Sequence, residues 1–175
     1  MSRNEGTYAA IDFGSNSINL VIYKMNRGGM SLIGKQKATP GILGYIKDGV
    51  LSDEGIRIAV GIIADMQKKA LGMNARLFCF ATASLRGIKN QQTVVDALRD
   101  ETGLIIDLVS GEREAYYDYI AVEKLMNVKN GLVADIGGGS IELDWIRDGR
   151  LYASTSLPTG CLRLRRDYVR GAWPK

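Results

Sequence analysis

The stretch Asp135-Ile136-Gly137-Gly138-Gly139-Ser140-Ile141-Glu142-Leu143 repeats the spacing of an earlier one, Asp12-Phe13-Gly14-Ser15-Asn16-Ser17-Ile18-Asn19-Leu20. Both read Asp-x-Gly-x-x-Ser-Ile-x-Leu. The apolar run Tyr8-Ala9-Ala10-Ile11 leads into the first and Leu132-Val133-Ala134 into the second, so each motif opens at the end of a strand. Glycine at such a point lets the backbone approach a ligand closely and turn N–H groups toward an anion. The serine adds a hydroxyl, and the aspartate offers a hard oxygen ligand suited to Mg²⁺. The repeat predicts two similar half-domains whose loops face each other across a phosphate-binding cleft.

Outward from the first motif, residues 8–13, 17–25 and 30–37 read as strands. Ile18, Leu20 and Ile22 alternate with Asn19, Val21 and Tyr23, the period of a sheet. Asn26-Arg27-Gly28-Gly29 is a hairpin turn, and residues 38–51 read as a loop. Ser52 caps a helix with Asp53 and Glu54 in its first turn and Ile56, Val60, Ile63 and Met66 at helical spacing. A buried strand over 76–82, a helix over about 91–102 capped by Asn90 and a strand over 104–109 follow. Ser110-Gly111 then opens a helix to about Met126. This is a complete βββαβαβα half-domain over residues 1–127. From 128 the pattern starts again with strands at 132–136, 140–147 and 150–157, a break at Pro158-Thr159-Gly160, and a basic helix over 161–170. The second half-domain, 128–175, reads as a truncated copy.

Composition narrows the chemistry. The chain has 175 residues, 46% of them hydrophobic and 24% charged, the balance of a globular protein with one good core and part of another. No apolar run reaches the roughly 20 residues that span a bilayer, and the N-terminus lacks the layout of a secretion signal. The expectation is a cytoplasmic protein with no membrane and no nucleic-acid partner. Histidine is absent, which excludes histidine-based triads, histidine zinc sites and phosphohistidine chemistry. Acid–base work falls to carboxylates, Lys, Tyr or Cys. Cys79 and Cys161 match no zinc or redox spacing. The net charge of +4 favours an anionic partner.

A βββαβαβα half-domain repeated with Asp-x-Gly loops resembles the actin, Hsp70 and sugar-kinase superfamily, a ribonuclease H-like α/β fold. Five segments in order resemble, more narrowly, the exopolyphosphatase / guanosine pentaphosphate phosphohydrolase family. They are Ile11–Ser17, Ala81-Thr82-Ala83-Ser84-Leu85-Arg86 with Asn90, Ser110-Gly111-Glu112-Arg113-Glu114-Ala115, Asp135–Leu143, and Ser156-Leu157-Pro158-Thr159-Gly160-Cys161. They cover only the amino-terminal part of a typical member.

Asp135 ends one strand, and Glu142 shares a face of the next with Ser140, so across a tight turn the two carboxylates can meet on one hard cation. The resemblance implies that metal role, with Mg²⁺ or another hard divalent ion. Gly137, Gly138, Gly139 and Ser140 read as a phosphate cradle, since three consecutive glycines exceed what a turn requires. The loop runs into a strand and carries no Gly-Lys-Ser/Thr, which sets it apart from both Walker A and Rossmann loops. Ser15, Asn16 and Ser17 form the opposing loop, with Asp12 placed to orient water around the metal. The resemblance selects Glu114 as general base. Sequence alone does not choose between it and Glu112, because residues two apart on a helix point about 200° apart and only one can face the cleft. Arg86 would present its planar fork to phosphate oxygens.

The chain also departs from the family pattern. Many members carry arginine at Asn19, near Ile42 and at Tyr116, and glutamate at Arg113, so substrate preference is open. Arg163, Arg165, Arg166 and Arg170 add charge near the end of the chain. The expected activity is Mg²⁺-dependent release of terminal phosphate from polyphosphate, guanosine pentaphosphate or both. A superfamily kinase or ATPase and a non-catalytic polyphosphate- or alarmone-binding module are the alternatives. An exposed second sheet suggests a homodimer.

Overall fold

The computed structural model describes residues 5–171, 173 and 174. The Arg170 side chain lies outside the described residues. Packing divides the chain into two compact units, Met1–Leu108 and Val109–Lys175.

The first unit is built on a meander of β1 (Gly6–Phe13), β2 (Ile18–Asn26) and β3 (Gly29–Ala38). Strand alternation sends Ala9, Ile11, Phe13, Ile18, Leu20 and Ile22 into the core, leaving Asp12 and Asn19 together on the other face. The Asn26 side chain accepts from the Gly28 N–H at 2.9 Å and closes the predicted turn. Residues 38–51 are more ordered than a loop. They hold a 3-10 turn at Ile42–Tyr45 and a small hairpin of β4 (Ile46–Lys47) and β5 (Val50–Leu51). In α1 (Asp53–Gly72), capped by Ser52 through a 3.2 Å bond from the Gly55 N–H, residues Ile56, Ala59, Ile63, Met66 and Ala70 form the buried stripe.

Strands β6 (Arg76–Ala81) and β7 (Ile106–Leu108) join in parallel, with α2 (Gln91–Thr102) between them in sequence. The sheet order is β3-β2-β1-β6-β7. Asn90 does precede α2, but its side chain does not cap it. The amide instead bonds the Leu51 carbonyl and N–H at 2.8 and 3.0 Å, satisfying the backbone of the small hairpin.

In the second unit α3 (Gly111–Met126) packs on a sheet of β8 (Gly131–Ile136), β9 (Ile141–Arg147) and β10 (Arg150–Leu157), ordered β10-β9-β8. Ser110 caps α3 by accepting from the Arg113 N–H at 3.2 Å. After β10 come α4 (Cys161–Tyr168), β11 (Val169–Arg170) and β12 (Trp173–Pro174). Within the described residues β8 is an edge strand, and its Leu132 and Ile136 are exposed. No described helix is long and apolar enough to cross a membrane.

Apart from the small hairpin, the elements through α3 follow the expected βββαβαβα order, and β8–β10 repeat the opening meander. The fold is the ribonuclease H-like, actin-like α/β class. We propose a topological boundary after residue 127, where the strand pattern starts again, alongside the division by packing.

Candidate functional site

The two motifs fold alike, each within its own unit. In the first, the Gly14 N–H donates to the Ser17 carbonyl at 3.0 Å; in the second, Gly137 N–H donates to Ser140 at 3.0 Å. A Cβ on Gly14 would lie 2.9 Å from the Ser17 carbonyl oxygen, which is why that corner takes glycine.

The segment after the third strand then returns to the loop. Gly41 and Leu43 donate N–H groups to the Asn16 and Ser15 carbonyls, both at 3.0 Å, while Cys161 and Leu162 donate to Gly137 and Gly138 at 2.9 and 3.1 Å. In a trans peptide the N–H points opposite to the carbonyl it shares, and there are no cis bonds among the described residues. Pinning these carbonyls therefore turns the N–H groups of Asn16, Ser17, Gly138 and Gly139 the other way, the arrangement an anion cradle requires. Ser140 is buried, and so is Ser15, whose hydroxyl has no hydrogen-bond partner.

The two copies differ at the position paired with the aspartate. In the first, Asp12 stands opposite Asn19, whose amide donates to Asp12 Oδ2 at 3.4 Å and to Ser17 Oγ at 3.2 Å. In the second, Asp135 stands opposite Glu142. Asp12 thus has a neutral amide donor opposite it, whereas Asp135 has a second carboxylate, a pairing that suits a cation. Glu142 sits mid-row between Asp135 on β8 and Ser156 on β10, and Ser156 Oγ donates to Glu142 Oε1 at 2.7 Å.

Asp118 of α3 completes the group: carboxylate oxygens of Asp118, Asp135 and Glu142 lie within 4.8 Å of one another. Three hard oxygen donors so arranged suit Mg²⁺ or a related ion. Glu114 is one helical turn before Asp118 and half-buried, whereas Glu112 is exposed. Burial is the main cause that raises the Asp118 carboxyl to about 7, followed by the charges of Asp135, Glu114, Glu142 and Asp144. Asp144, only 1% exposed, is raised to about 6 by burial and by Glu142. Sequence reasoning missed both aspartates. Asp118 follows Glu114 at helical spacing and Asp144 follows Glu142 at strand spacing, so the periodicities held the signal.

Each raised carboxyl keeps a proton in the folded chain that the unfolded chain has already shed above its ordinary value of 3.8. Folded stability of the metal-free chain should therefore fall as pH rises from about 4 to about 7 and level off above. Calorimetric Tm at pH 5 and pH 8 checks this: the higher value is expected at pH 5, and the dependence should flatten in an Asp118→Asn/Asp144→Asn double variant.

Gly160 is the other residue whose role the sequence did not reveal. Its backbone is extended, at φ −146°, so the need for glycine is one of space. A Cβ would lie 2.5 Å from the Gly137 oxygen and 2.6 Å from the Gly138 carbonyl carbon. Gly160→Ala should push the glycine loop out of place and weaken phosphate binding by an order of magnitude or more, while Cys161→Ser, at an exposed side chain, should not. Binding of a phosphate analogue to the two variants separates these outcomes.

Of the remaining expected residues, Arg86 is half-buried on the turn after β6, and that turn is tied to the end of β1 by Ser84 Oγ donating to the Phe13 carbonyl. Arg113, a departure from the family pattern, donates to Tyr117 Oη at 2.8 Å and lies 5.7 Å from the centre of its ring. Cys79 is buried, and burial followed by the Asp12 charge pushes its thiol up to about 12, which removes it as a nucleophile.

The model of the Ppx/GppA phosphatase family matches residues 21–175, and the chain belongs to that family. Exopolyphosphatase 1 of Mycobacterium tuberculosis is 30% identical over 164 residues, which is 91% of this chain and 48% of that protein. The guanosine-5'-triphosphate,3'-diphosphate pyrophosphatase of Pseudoalteromonas atlantica is 31% identical over 173 residues, 95% of this chain and 34% of that one. The crystal structure of an exopolyphosphatase from Cytophaga hutchinsonii superposes with a TM-score of 0.87 at 22% identity, covering 93% of this chain and 54% of the other, and shows the shared fold. The chain spans half or less of the length of these curated relatives.

Proposed function

We propose that the protein hydrolyses terminal phosphoanhydride bonds, releasing orthophosphate from inorganic polyphosphate or guanosine pentaphosphate. The observation that carries this reading is the convergence of Asp118, Asp135 and Glu142 within 4.8 Å beside a glycine loop pinned for anion binding.

Asp135 and Glu142, with Asp118, would hold Mg²⁺ or a similar ion. A bound divalent cation supplies charge neutralisation for the phosphate oxygens, the main demand of phosphoryl transfer. Glu114 takes the proton from the attacking water, whose oxygen forms the new bond to the terminal phosphorus as the bridging P–O bond breaks. The leaving group is the shortened phosphate chain or the guanosine tetraphosphate. Gly137, Gly138, Gly139 and Ser140 offer backbone N–H groups and a hydroxyl to phosphate oxygens. In the first unit Ser15, Asn16, Ser17 and Arg86 are assigned the same service, Ser15 on the strength of a buried hydroxyl with no internal partner, and the Asp12 carboxylate is assigned to orient water. Ser156 holds Glu142 in its rotamer.

Phosphate release with polyphosphate or guanosine pentaphosphate, with Mg²⁺ and with a chelator, tests the reading. Turnover with metal that the chelator abolishes is expected; binding of polyphosphate without release would instead make this a binding module. The exposed Leu132 and Ile136 on the β8 edge support pairing with another copy, and a concentration-independent monomer in sedimentation would refute that part.

A further inference from the structure

Beside the Ser15–Ser17 loop the first sheet carries a groove of about 460 Å³ along β2 and β3, lined by Asn19, Leu20, Val21, Lys35, Gln36 and Lys37. Ile18, Leu20 and Ile22 point into the core, so strand alternation puts Asn19 and Val21 on the opposite face of β2. The register sets Lys37 against Asn19 and Lys35 against Val21, which brings both lysines to that same face. They stand about 6.8 Å apart along the strand, at a rise of ~3.4 Å per residue. Both are exposed, and neither enters an ion pair among the described residues. No carboxylate lines the groove. A third ammonium reaches the same strand from α1, where Lys69 Nζ donates to the Lys35 carbonyl at 3.2 Å. Like charges gathered in this way repel each other, and an anion lying among them relieves the repulsion.

We propose that this groove is a subsite for the inner phosphates of a linear polyphosphate whose end is received by the Ser15–Ser17 loop. The inference rests on the phosphate-binding reading above and deepens it by favouring a polyanionic chain over a nucleotide. Asn19 joins the two parts, since its amide lies in the groove and donates to Ser17 Oγ at 3.2 Å. Phosphates leaving the loop at Ser17 would pass the Asn19 amide and meet Lys37 first and Lys35 next. Ammonium groups on flexible stems act as mobile point charges, which suits a repeating anion of no fixed shape. A nucleoside would find little here, because no aromatic ring lines the groove for a base to stack on.

Isothermal titration of the purified chain with tripolyphosphate and with long-chain polyphosphate tests this without any turnover. Lys35→Gln/Lys37→Gln should weaken long-chain binding about 5- to 10-fold, the scale of two exposed charge contacts, and leave tripolyphosphate within about twofold of the wild type. Lys24→Gln/Lys47→Gln removes the same charge from exposed positions outside the groove and should leave both affinities near the wild type. Long-chain affinity unchanged in the groove variant, or lost equally in the control variant, would overturn the subsite and leave the loop's phosphate-binding role standing. An equal loss for tripolyphosphate would put the lysines at the terminal phosphates and overturn the inner subsite. Binding of neither compound to the wild type would remove polyphosphate from the function proposed above, and the subsite with it.

Discussion

Replacing Glu114 by glutamine should lower phosphate release by about 10²–10⁴-fold while leaving phosphate binding nearly unchanged, the signature of a lost general base. Glutamine keeps the size and hydrogen-bonding reach of the side chain and removes only its ability to take a proton. Glu114 is half-buried one turn before Asp118, and its charge is felt there. Removing that charge relieves only a lesser cause of the raised Asp118 carboxyl, since burial and the Asp135 charge remain. The variant should still bind Mg²⁺ through Asp135, Glu142 and Asp118 while turning over slowly. Full activity in Glu114→Gln would defeat the assignment. Glu112→Gln, at an exposed position of the same helical turn, is the control that should retain activity.

The other large effect is expected at Glu142. Its carboxylate stands opposite Asp135, is 1% exposed and is fixed by Ser156. Glu142→Gln removes one of three converging charges and should cost more in divalent-ion affinity than the roughly 10–100-fold typical of losing an outer-shell partner. The loss should appear as a higher metal concentration for half-maximal phosphate release. Ser156→Ala should shift the same curve in the same direction by less, because it frees the carboxylate without removing it. Were Glu142→Gln to bind Mg²⁺ as tightly as the wild type, Asp135 and Asp118 alone would have to hold the ion.

Much of this architecture was legible because it is local. A strand, a glycine corner and a second strand are written in nine consecutive residues, and writing them twice defines the repeat. The pairing of Asp135 with Glu142 follows from the tight turn between them, and so does the contrast with Asp12 and Asn19. The caps at Ser52 and Ser110 were readable for the same reason, each side chain reaching only three residues ahead.

What escaped depended on contacts distant in sequence. Asp144 in a strand reads as a solvated residue until α3 is known to pack on that sheet. Asp118 reads as an ordinary polar position on a helix for the complementary reason. Asn90 looked like a cap, but the backbone of the hairpin at Leu51, far upstream, makes the stronger claim on its amide. Gly160 could not be interpreted from its own backbone, since an extended residue tolerates any side chain; the obstacle is the carbonyl of Gly137.

Diffraction from crystals grown with Mn²⁺, recorded at a wavelength where manganese scatters anomalously, tests the central claim most directly. An anomalous peak within coordination distance of both the Asp135 and Glu142 carboxylates is the predicted result. A map with no ion there, or with those two side chains turned away from each other around an ion bound elsewhere, would contradict it.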